Sequence, residues 1–368
     1  MMSPASKQLP WKGPRVLRLG SLSFRINLRM LLLGAIAIVG STVVTLLAVM
    51  YGDIYMSPAA IREVLAGEGT PIERRIVIDL RLGRAIVALL VGACLSMAGA
   101  LTQSVARNPL ASPDIIGITS GAALAAALAI VLSGDVSKTN IGGKADSLLK
   151  VFGLPGVALL GASLAALTVV VLTLWRRGTM IQFILIGVGV SIFLSSVTTW
   201  LLAWADLETA RQAKIWLTGS LNGRDFHETW APSAVLLLSV MLAGWLAFKL
   251  SALALGETVA YVLGHSVRLA QGTQILVAIV LTAVAVSVAG PIGFVAFVVP
   301  HLARIASRTS TPPLMLSVLF GAFLLGAADF IARAVIPWEI PVGIITSLVG
   351  APILLYMTIR MVRRVTIV

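Results

Sequence analysis

Apolar runs close to the length a lipid bilayer demands, roughly 20 residues for a helix, recur along this chain with only short polar breaks between them. A backbone inside lipid must satisfy its own N–H and C=O groups, which leaves helices or closed barrels as the spanning structures. Hydrophobic residues make up 58% of the 368 positions and charged residues 12%, about half the charged share of a soluble domain. The fold class read from this is all-α, a polytopic integral membrane protein. Spans are expected at about 30–51, 83–105, 115–133, 152–174, 181–203, 230–250, 273–289, 294–306, 314–332 and 340–360. The run at 294–306 is too short to cross untilted lipid and fits a helix shielded inside a bundle.

Ten spans put both termini on one side. Residues 1–29 carry Lys7, Lys12, Arg15, Arg18, Arg25 and Arg29, and the first apolar run is longer than a signal-peptide core. Residues 1–29 are therefore read as a basic cytoplasmic tail and 30–368 as a single transmembrane domain in a cytoplasmic (inner) membrane, both termini facing the cytoplasm. The net charge of +13 is on this view a topology signal, not a nucleic-acid face. The breaks 52–82, 134–151 and 204–229 fall outside, and the last is expected to hold a surface helix at about 207–217. Ser96-x-Ala-Gly and Ser287-x-Ala-Gly, each followed ten residues later by proline, form an internal echo of the kind inverted repeats leave.

The chain has no Gly-x-x-x-x-Gly-Lys-Ser/Thr phosphate loop, and "GGKADS" at 142–147 lacks the spacing. No metal-ligand cluster or nucleophile–base set is evident, so no catalytic, metal or cofactor-binding residue is assigned; Cys94 is the only cysteine, within an apolar run. The apolar runs also lack the central ionisable relay of an ion-coupled carrier, with His301 as the one candidate.

Arg81 and Arg84 stand one turn apart at the outer end of the second span, and Arg333 lies at the outer end of the ninth. Two readings stand: interfacial anchors that snorkel, or outward forks for carboxylates of a docking protein. On the inner side, Leu253 to Gln271 joins the sixth and seventh spans. Glu257, Ala260, Leu263 and Gly264 at helical spacing predict a short helix ended by glycine, either a knob for a cytoplasmic partner or a solvated connector. Ser191, Ser195, Thr198 and Thr199 make a hydroxyl stripe on the fifth span, for close packing or an aqueous path. Gln103 and Gln182 are costly in lipid and should prefer the bundle interior or that path.

The segments "RLGRAIVALLVGACLSMAGALTQSVARNPLASPDIIGITSGA", "LALGETVAYVLGHSV", "VAGPIGFVAFVVPHLAR" and "ADFIARAVIPWEIPVGIITSLVGAPILLY" resemble the permease family of bacterial ATP-binding-cassette importers for ferric siderophores, haem and vitamin B12. The likeness runs from about Arg81 to Arg360. It implies a type II importer fold of ten helices, a second permease subunit (identical or a paralogue), two cytoplasmic ATPases and an extracytoplasmic binding protein. ATP and magnesium would be used by the ATPase and not by this chain. Arg81, Arg84 and Arg333 match the family's docking arginines. The loop at about 251–272, with Leu255, Gly256, Glu257, Ala260, Leu263 and Gly264, matches its ATPase-coupling loop. Gly83 departs from the proline usual between the arginines, which would loosen that helix start. "SPDIIGITSGA" and "LETARQAKIWLTGSLNG" are most similar to ferric enterobactin (catecholate) permeases, with haem or vitamin B12 as alternative cargoes. The competing classes are an ion-coupled secondary transporter or channel and a membrane enzyme; neither finds its residues here.

Overall fold

The computed structural model describes residues 15–19, 22–52, 55–134, 142–175, 179–254, 257–262, 264, 266–335 and 340–365. The described part of the basic tail is an antiparallel hairpin of β1 (Arg15–Leu19) and β2 (Leu22–Ile26). The asparagine that follows starts α1 (Leu28–Met50), its side chain accepting from the Arg29 amide. Beyond it come α2 (Pro58–Ala66) and α3 (Pro71–Arg74), both opened by proline behind a Ser or Thr cap. A π-wound stretch, Arg75–Leu82, joins α3 to α4 (Gly83–Ala106) without a break.

After a single-turn 3₁₀ segment (Pro113–Ile116) the bundle continues with α5 (Ile118–Gly134), α6 (Gly142–Trp175) and α7 (Met180–Trp204). Then follow α8 (Leu207–Leu217), α9 (Trp230–Ala254), α10 (Glu257–Val262), α11 (Val267–Ala289) and α12 (Val295–Ser307). The chain ends with α13 (Leu314–Phe330), a π-wound extension (Ile331–Val335) and α14 (Val342–Val365). Eight of these helices are long and apolar enough to cross a bilayer, and α5 and α12 are shorter apolar helices that complete the ten expected spans. α8 covers the residues expected for the surface helix. α6 begins well before its expected start, although the non-helical backbone of Gly153 breaks it where the span was placed.

α4 is the axis of the bundle. The helix it belongs to, Pro71–Ala106, is 83% buried across its most apolar window, against 11% for α7 at the periphery. Lipid tails are as apolar as leucine, so such helices gain from close backbone approach more than from hiding side chains. A Cβ on Gly92 of α4 would lie 2.2 Å from the Gly321 carbonyl oxygen of α13, and one on Gly321 would lie 2.3 Å from that of Gly92. α11, α12 and α9 complete the apolar core around α4, while α5, α6 and the inner face of α7 form a second cluster beside it.

The 13 residues of α12 span about 20 Å, short of a bilayer core. Nine of them are buried, so other helices, not lipid, surround it. Both copies of the Ser-x-Ala-Gly echo start within a long helix, Ser96 to Ala98 on α4 and Ser287 to Ala289 on α11, and each of those helices is followed by a short apolar one, α5 or α12. They differ after that: α4 continues past Gly99, whereas Gly290 ends α11 with φ 71°, and Pro109 lies in a loop where Pro300 lies inside α12.

Candidate transport site

The end of the bundle where α1 and α13 finish and α4 starts is organised by Asp329. This carboxylate is 1% exposed. Arg84 donates to its Oδ1 from Nε at 3.0 Å and from Nη2 at 2.9 Å, and Arg333, four residues on, places Nε 3.5 Å from Oδ2. Arg81 donates from Nη1 to the carbonyl oxygens of Val49 (2.9 Å) and Met50 (3.4 Å), and Arg333 donates from Nη2 to that of Ala48. Those carbonyls lie in the last turn of α1, where the helix has no partners of its own and its dipole is negative.

The arginines, read from the sequence either as snorkelling anchors or as outward forks, are thus turned inward, Arg81 being only 7% exposed. The physical reason is Asp329 together with the open end of α1, neither of which a spacing of three residues reveals. Asp329 itself was not singled out, although an acid at the end of an apolar run was the available signal. Gly83 does not loosen the start of α4. It is helical, and a Cβ there would lie 2.6 Å from the Phe226 amide nitrogen, so the missing side chain seats the 225–226 turn against α4.

Between α5, α7 and α8 lies a cavity of about 390 Å³ lined by Ser120, Ser195, Thr198, Thr199, Thr218 and Lys214 together with apolar side chains such as Leu202 and Leu217. Ser120 Oγ is 2.7 Å from Ser191 Oγ and 3.2 Å from Ser195 Oγ, so the stripe on α7 both bridges to α5 and faces open space. Thr198 and Thr199 donate to the carbonyls of Leu194 and Ser195, one turn back. α8 begins at Asp206, whose carboxylate accepts from the Thr209 amide at 3.2 Å. Hydrogen bonding from Thr209 holds that carboxyl below the usual range.

The two glutamines are elsewhere. Gln182 is exposed at the start of α7 and closes a capping box, its Oε1 accepting from the Thr179 amide at 2.9 Å. Gln103 is buried where α4 meets α12, and its Nε2 donates to the Phe297 carbonyl at 2.8 Å. One turn earlier, a Cβ on Gly99 would lie 1.7 Å from the Ala296 carbonyl oxygen, which Pro300, lacking an N–H, leaves without its helical donor. Gln103 also reaches a separate cavity of about 230 Å³ with Arg107, Asn108 and Arg304. His301, the one relay candidate, is 5% exposed with Nδ1 3.2 Å from Arg304 Nη2. Sequence reasoning passed over Gln274, which is fully buried on α11 with no partner for its amide among the described residues.

At the opposite end from Asp329, α9 and α11 are joined through α10, which starts at Glu257. Ala260 is completely buried against Val267 and Ala270, whereas Tyr261 and Val262 are 75% and 79% exposed. Gly264 donates its amide to the Tyr261 carbonyl at 2.9 Å with φ 82°, the left-handed turn that ends a helix at glycine. Leu255, Gly256 and Leu263 lie outside the described residues.

Among the described residues, eight membrane-length helices with α4 as their axis and cavities between them make the architecture of a multi-pass membrane protein. The chain belongs to the FecCD transport family, which it matches over residues 36–360. It is 35% identical over 340 residues to the ferric enterobactin transport system permease protein FepG of Escherichia coli, covering 91% of this chain and 98% of that one. It is 33% identical over 326 residues to the vitamin B12 import system permease protein BtuC of Serratia proteamaculans, covering 87% and 90%. A solved structure described as an inward-facing conformation of a metal-chelate type ABC transporter superposes with a TM-score of 0.75 at 27% identity, over 89% of this chain and 98% of that one.

Proposed function

We propose that this chain is the transmembrane permease subunit of an ATP-driven importer that carries a ferric siderophore, of the catecholate class, across the cytoplasmic membrane by alternating access. Both termini lie in the cytoplasm on this reading. The observation that carries it is α10, whose exposed Tyr261 and Val262 stand on a buried Ala260 at the end opposite the Asp329 node. An apolar knob on water-facing backbone serves an occupant, and a partner ATPase is the one that fits. ATP and magnesium belong to that partner, and a second permease subunit completes the passage.

The 35% identity to a ferric enterobactin permease supports the catecholate class. The similarity to a vitamin B12 permease supports a second cargo, the corrinoid. Arg81, Arg84 and Arg333 enter this reading as the frame of the rim that receives the binding protein, since their donors are engaged within the bundle.

The test is uptake of radiolabelled iron, as a ferric tris-catecholate, into liposomes containing the chain with its second permease and ATPases, driven by ATP and the liganded binding protein. ATP-dependent accumulation is expected. Accumulation of a corrinoid but no ferric chelate would replace the cargo, and uptake driven by a proton gradient without ATP would overturn the class.

A further inference from the structure

Among the described residues, Lys214 is the one cationic side chain lining the cavity between α5, α7 and α8, and no carboxylate lines it. It is exposed in the last turn of α8 and forms no ion pair with a described residue, although Arg211 on the same helix lies 3.9 Å from Glu208. Asp114, which accepts from the hydroxyls of Thr119 and Ser112, does not itself line the cavity, although Thr119 does. The remaining polar side chains of the lining are serines and threonines, which add no charge, and the hydroxyls of Thr119, Thr198, Thr199 and Thr218 already donate within the chain.

We infer that Lys214 is a specificity-determining residue, which makes this cavity favour anionic chelates over neutral ones of similar size. This inference rests on the importer reading above. A negative charge on the ligand is attracted by a lysine that no carboxylate of the described lining neutralises, while the uncharged remainder of the lining does not discriminate by charge. The bland duty of a lysine in a last helical turn, complementing the helix dipole, does not distinguish between ligands.

The experiment uses the whole importer complex in nanodiscs, without binding protein, and compares equilibrium binding of a trianionic ferric tris-catecholate with that of a neutral ferric trihydroxamate. Wild type should prefer the trianion by about tenfold or more at low salt, a preference that shrinks as ionic strength rises. Lys214→Glu should abolish the preference and Lys214→Arg should keep it. Arg211→Gln, which also removes one positive charge from α8 but does not line this cavity, should leave it unchanged. Equal affinity of wild type for the two chelates, including binding of neither, overturns the inference. So does a preference that survives in Lys214→Glu, which would leave the lysine to the helix end or to lipid headgroups. If the inference fails while the liposomes still accumulate ferric chelate with ATP, the importer reading stands.

Discussion

Asp329 holds together parts of the chain that are hundreds of residues apart, because two arginines converge on it where water is excluded. Taking one partner from a buried ion pair leaves an uncompensated charge, a loss of about 3–5 kcal/mol. Asp329→Ala is therefore expected to lower the thermal unfolding midpoint of the purified protein sharply. Arg211→Ala, whose pair with Glu208 is roughly 70% exposed on both sides, should cost less than about 1 kcal/mol and barely move that midpoint. Comparable shifts would mean that the node is not the clamp described. Gly83 offers a second test at this scale. Gly83→Ala places a methyl against the 225–226 backbone and should destabilise by about 1–3 kcal/mol, read as a lower midpoint with membrane insertion intact.

Among the elements, α10 and α7 separate function from capping. Tyr261→Asp or Val262→Asp alters side chains that touch little in this chain, so the fold should survive while ATP-dependent uptake and chelate-stimulated ATP hydrolysis fall together. Normal stimulation in both variants would remove the coupling role of α10. A side chain at Gly264 meets nothing within 4 Å, yet φ 82° strains any other residue, so Gly264→Val should disturb the knob through backbone conformation and not through a clash. Gln182→Ala should cost about 1 kcal/mol of stability through the lost capping box, with uptake per folded transporter unchanged. A selective loss of uptake would return Gln182 to the pathway.

The whole molecule is a bundle with one end tied by charge and the other presenting a knob, and alternating access would be a change in how its packed helices meet. Purified and reconstituted alone, it should accumulate no chelate under any ion gradient; accumulation would show that it needs no partner ATPase. Much of this was legible beforehand, because whether a segment enters lipid depends on its own residues. Recurring apolar runs therefore located the ten helices, and the Glu257 to Gly264 spacing located α10. The hydroxyl stripe was legible as a stripe, but that it both bridges to Ser120 and opens on a cavity depends on where α5 and α8 lie. Likewise Arg81 and Arg84 declared their charge and spacing, but not that α1 would offer its terminal carbonyls or that Asp329, 245 residues from Arg84, would close on them. Partition between lipid and water is a local property of the chain, settled by the sequence alone. The pairing of polar groups is settled by which backbones approach closely enough to exclude water, and only the tertiary structure decides that.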